Sequence, residues 1–108
     1  MIKNLTPAEV VRLADLVAYQ PGQVVSQTLA QNDGGGLTLF AFPEGEGLSK
    51  HTSPADALVM VLDGEALIEI DDKPLTVAAG ESIVMPANVP HALQAKQPFK
   101  MLLVLVKD

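Results

Sequence analysis

Residues 51–64 read HTSPADALVMVLDG. A histidine opens the run, the apolar residues Ala57–Leu62 fill its middle, and Asp63-Gly64 closes it. The apolar block has the length of a buried strand and is short for a helix. Asp-Gly favours a tight hairpin, because both central positions of that turn need positive φ. The stretch therefore predicts a strand over Ala57–Leu62, a turn, and a second strand over Glu65–Ile70. His51 precedes the ladder with Ser53, not a second histidine, two residues on.

Reading outward extends the same rhythm. Gln23–Ala30 and Leu37–Phe42 alternate in polarity around the hairpin cluster Asn32–Gly36. After the turn Asp71-Asp72-Lys73 come short strands at Leu75–Val77 and Ser82–Met85. The segment Pro86–Pro90 interrupts the ladder, since Pro has no N–H to donate. His91–Ala95 and Phe99–Lys107 complete the chain. Eight or nine short strands spaced by roughly 8–12 residues predict an all-β sandwich or barrel. The N-terminus differs: Thr6-Pro7-Ala8-Glu9 has the form of a capping box, with Val10, Leu13, Ala14 and Val17 at helical spacing. A helix of about two turns is expected there, ending before Pro21-Gly22. The expected organisation is a helix and extended segment over residues 1–22, packed on a barrel over residues 23–108.

Composition narrows the function classes. The chain has 108 residues, 48% of them apolar, with no cysteine and a net charge of −6. That suits one globular domain with one core and leaves no thiolate for disulfides or zinc. The negative field opposes nucleic-acid binding, and no helix-turn-helix or basic arm accompanies the strands. No apolar run approaches the ~18 residues of a membrane span, and no leader pattern opens the chain. The expected location is the cytoplasm.

Several strands are apolar on both faces. In Met101–Val106, Met101, Leu103 and Leu105 point one way and Leu102, Val104 and Val106 the other. A small barrel has one interior, so the second face needs a cover, and a homodimer is the expected partner state.

Gly45, then His51 after five intervening residues, Gly64, Gly80, then Pro86 after five intervening residues, and His91 stand in an order and spacing that resembles the two motifs of the cupin superfamily. The first motif of that family runs Gly, five residues, His-x-His, three or four residues, Glu, six residues, Gly. The second runs Gly, five residues, Pro-x-Gly, two residues, His, three residues, Asn. The resemblance implies a double-stranded β-helix, or jelly-roll, barrel. It also implies a divalent ion (Mn, Fe, Ni or Zn) held by three histidines and a glutamate. Here His51 and His91 match two of those ligands. Ser53 stands at the second histidine, Ala57 at the glutamate, Asn88 at the second-motif glycine and Ala95 at the terminal asparagine. Asp56 is one residue from the glutamate position, but on a strand it faces the other way.

Two imidazoles and waters bind a first-row ion weakly, because such sites want at least three protein ligands. Three readings follow. In the first, the barrel binds a small molecule, with His51 and His91 as polar anchors and Ser53, Met60, Met101 and Phe40 completing the pocket. In the second, the chain is a divalent-metal cupin enzyme of the dioxygenase or isomerase type with an incomplete ligand set. In the third, it is an oligomerisation scaffold whose barrel is filled. His51 is expected to meet His91 across the barrel, with Ser53 orienting one ring or binding water.

Overall fold

The computed structural model describes all 108 residues. Eight strands follow one another: β1 (Val25–Asn32), β2 (Gly35–Phe42), β3 (Gly47–His51), β4 (Asp56–Ile70), β5 (Lys73–Ala78), β6 (Ser82–Met85), β7 (His91–Gln94) and β8 (Phe99–Val106). All pairings are antiparallel, in the order β1-β2-β8-β4-β7-β3, with β5 and β6 also paired to β4. The sheet curls into the expected cupin-type barrel.

Asp63-Gly64 is not a hairpin. β4 runs unbroken for 15 residues, with a register shift between Val61 and Asp63. Its first half pairs with β6 and β8, and its second half with β5 and β7. A hairpin needs the flanking runs to pair with each other; here each run has other neighbours. The bulge also inverts parity. Ala57, Val59 and Val61 are buried before it, and Ala66 and Ile68 after it. One inserted residue thus keeps the apolar set inside while the strand passes from one wall of the barrel to the other. Gly64 sits at φ 72°, and a Cβ there would lie 2.1 Å from the Pro98 carbonyl oxygen, so only glycine fits.

The interior is filled at one end by Phe42, Phe99, Val59, Val61 and Ile68. The Phe42 and Phe99 rings stack with centroids 4.6 Å apart. Phe40 stacks on Phe42 at 5.7 Å and belongs to this packed end.

The N-terminal helix does not form. Only a single 3-10 turn is present, Leu13–Asp15, and Ala8 inside the expected capping box has φ 63°. Two isolated turns hold few hydrogen bonds against the cost of nucleation, so tertiary contacts decide the path. Leu5, Leu13, Leu16, Val17 and Tyr19 pack as an irregular strap on Leu29, Leu39 and Ala41, on the outer face of β1 and β2. The Lys3 N–H donates to the Leu29 carbonyl and the Asn4 side-chain amide to the Thr28 carbonyl, which covers part of the β1 edge. The Lys100 ammonium donates to the Ala14 carbonyl at 2.6 Å and lies 5.0 Å from the Tyr19 ring centroid. The Tyr19 hydroxyl donates to Asp63, beside the bulge. Leu5, Leu13, Leu16, Val17 and Tyr19 thus hold this segment on the barrel as a strap, while Ile2, Val10 and Val11 stay exposed.

Candidate functional site

His51 ends β3 and His91 begins β7, and the two are register partners in that antiparallel pair. Pairing alone brings together residues forty positions apart. Their Nε2 atoms lie 3.2 Å apart, with the rings edge to face at 72° and centroids 4.4 Å apart. His91 is 3% exposed, whereas His51 stands at the open mouth.

The other ring nitrogens define the chemistry. His51 Nδ1 is 2.7 Å from the Ser49 carbonyl oxygen, and His91 Nδ1 is 3.1 Å from that of Val89. A carbonyl oxygen only accepts, so each Nδ1 carries the proton and donates it. Each neutral ring is then left with a bare Nε2 acceptor, and the two acceptors converge. An N–H···N bond between them requires one ring to become imidazolium. Burial works against that for His91, pushing its pKa below the usual histidine value; the Val89 carbonyl opposes the shift and nearby His51 adds to it. With both rings neutral, the pair presents two lone pairs at one point, with no protein donor between them.

Two loops hold this geometry. Asn88 adopts φ 64° and its N–H donates to the Ser53 carbonyl at 2.8 Å. The Ala87 N–H donates to Asp56 Oδ1, also at 2.8 Å. The turn that aims His91 is thereby fastened to the loop that follows His51. Asparagine tolerates the left-handed region better than other non-glycine residues, so Asn88 serves where the family motif has glycine. Asp56 faces away from the cavity, as its strand parity requires. Ser53 Oγ accepts from the Ala55 N–H at 3.2 Å and orients neither imidazole, contrary to expectation.

Behind the pair lies a cavity of about 260 Å³, lined by His51, Ser53 and His91 and otherwise by Leu48, Ala57, Met85, Leu93, Met101, Leu103 and Leu105. Of the residues expected to line it, His51, Ser53, His91 and Met101 do. Phe40 does not, since it belongs to the packed end. Met60 does not either: it is 37% exposed on the outer face opposite Leu102, because β4 turns odd-numbered residues inward before the bulge. Ala57, at the motif position of the glutamate, and Met85 line it too, whereas Leu48 and Leu93 were hidden on short strands in which neither face is marked. For β8 the alternation of Met101, Leu103 and Leu105 was legible, and Met101 selected the correct face.

The donor set does not fit a resident divalent ion. The two Nε2 atoms are close enough to share one, but Ser53 Oγ is committed to the Ala55 N–H and Ala57 offers only a methyl group. No cluster of three or more His, Cys, Asp or Glu side chains surrounds the point. No carboxylate offsets the charge of an ion inside this apolar wall.

The comparisons agree with the fold. A conserved Streptococcus pyogenes protein of unknown function is 44% identical, over 99% of this chain and 94% of its own, with a TM-score of 0.96. A cupin superfamily protein from Desulfitobacterium hafniense is 35% identical over 100% and 99% of the two chains, with a TM-score of 0.94. A cupin 2 conserved barrel domain protein from Leptotrichia buccalis is 49% identical over 87% of this chain, which spans only 46% of that one, with a TM-score of 0.85. No curated protein matches the sequence. The family model described as "Cupin domain" matches residues 38–105, from β2 through nearly all of β8. With the barrel, the two motif histidines and this match together, the chain belongs to the cupin family.

Proposed function

We propose that the protein binds a small, mostly apolar molecule in the barrel cavity and holds it by a hydrogen-bond donor set against Nε2 of His51 and His91. The observation that carries this reading is the convergence of two Nε2 atoms, 3.2 Å apart, on an apolar cavity of about 260 Å³, each on a ring whose Nδ1 faces a backbone carbonyl. A ligand O–H or N–H placed there satisfies acceptors that the chain leaves unserved, while its apolar body replaces water along the cavity wall. The cavity weighs against a filled scaffold. The missing third ligand weighs against a divalent-metal dioxygenase or isomerase.

The homodimer belongs to the same proposal. On the outer face Leu37, Val104, Leu58 and Val84 stand in register across β2, β8, β4 and β6. Val84 and Val106 are about half exposed. The strap covers the β1–β2 side of this face and leaves the rest bare; a second copy is the occupant we infer for it.

The binding test uses 1-hexanol, one donor on an apolar body, titrated into the ¹⁵N-labelled chain. Saturable shifts of both histidine rings are expected in the unmodified chain, and an affinity at least ten-fold weaker, read at His51, in His91→Phe. Saturable binding that leaves both rings unmoved contradicts the reading.

A further inference from the structure

The cavity does not end at the histidines. A polar groove of about 400 Å³ adjoins it, and Ser53 and Leu105 line both. Thr28, Thr38 and Gly36 line it, as do Asp33 and Lys107. Strand register fixes the relation. Thr38 pairs with Leu103 and Gly36 with Leu105, the two β8 residues nearest the mouth that line the cavity. Thr28 is the cross-strand partner of Thr38. The inner barrel surface thus changes along one row, from aliphatic on β8 to hydroxyl-bearing on β2 and β1.

Neither threonine hydroxyl is hydrogen-bonded within the chain. No buried side-chain polar atom lacks a partner, so both hydroxyls face open space. Asp33 and Lys107 bring one charge of each sign to its lining, which favours a neutral polar group over an ion.

Resting on the cavity-binding reading above, we propose that this groove is the outer half of the same site and takes a second hydroxyl of the ligand. The ligand class is then a neutral amphipathic diol: an apolar body against Met101, Leu103 and Leu93, one hydroxyl donating to the imidazoles, and another exchanging hydrogen bonds with Thr28 and Thr38. Threonine hydroxyls both donate and accept, so they suit a hydroxyl where the bare imidazoles suit only a donor.

The test compares 1-hexanol with 1,2-hexanediol on the ¹⁵N-labelled full chain. Both should shift the His51 and His91 resonances, and the diol alone should shift Thr28 and Thr38. The diol should bind about ten-fold tighter, the scale of one added hydrogen bond. In the isosteric double variant Thr28→Val/Thr38→Val the diol should fall to the affinity of 1-hexanol, with 1-hexanol unchanged, while Thr38→Ser keeps the preference. Equal affinities in the unmodified chain, or a preference that survives the double variant, overturns the outer subsite and leaves the cavity reading standing. If neither alcohol moves the histidines, the cavity reading and the subsite fail together.

Discussion

The Asn88 N–H donates to the Ser53 carbonyl, and this one bond joins the loop leading into His91 to the loop leaving His51. It depends on the left-handed conformation of Asn88 at φ 64°. Asn88→Gly should change stability by less than about 0.5 kcal/mol, because glycine takes that conformation freely. Asn88→Val should cost about 1–3 kcal/mol, the usual strain of a β-branched residue there. Urea unfolding of both variants measures the difference.

Glycine is needed to different degrees at β4 and at the turn before β6. Gly64→Ala puts a Cβ against the Pro98 backbone and should cost more than about 2 kcal/mol. Gly80→Ala meets nothing within 4 Å and carries only the strain of φ 89°, about 1 kcal/mol. Thermal unfolding of the pair should rank them in that order.

Stability should fall in mild acid through His91. Its pKa is lowered in the folded chain, so below the ordinary histidine pKa of about 6.5 the unfolded chain binds the proton more readily. The contribution is complete above that pH and is lost as the pH drops through the folded value. Unfolding free energies measured between pH 8 and pH 5 should decline more steeply for the unmodified chain than for His91→Gln.

A charge in the outer aliphatic row should separate the proposed dimer. Val104→Glu faces outward between Leu37 and Leu58, so it leaves the core intact. Sedimentation velocity should show a dimer for the unmodified chain and a folded monomer for the variant. A monomer in both cases removes the dimer from the account.

The barrel and its histidine pair were legible because turn residues and motif spacings are local marks that survive folding. His51 and His91 were findable by spacing alone, and their pairing follows once β3 and β7 are neighbours. The Asp63-Gly64 bulge was not legible as a bulge, since the dipeptide marks positive φ whether the strand reverses or continues. The burial pattern held a hint: odd positions are apolar before it, and Ala66 and Ile68 after it. Thr6–Glu9 carried a true capping pattern that packing overrode, because Leu13, Leu16 and Val17 gain more by lying on Leu29 and Leu39 than two helical turns can offer. Phe40 and Met60 were misplaced for lack of face information: one lies at the packed end, and the other sits on the outward parity of a strand apolar on both sides.

The most direct test of the converging acceptors is the tautomeric state of the two rings, read from ¹⁵N shifts and long-range ¹H–¹⁵N couplings of ligand-free protein at pH 8. Protonated Nδ1 and bare Nε2 on both His51 and His91 is the expected result. A proton on Nε2 of either ring would supply the missing donor from within the protein, and the case for a ligand donor at that point would be lost.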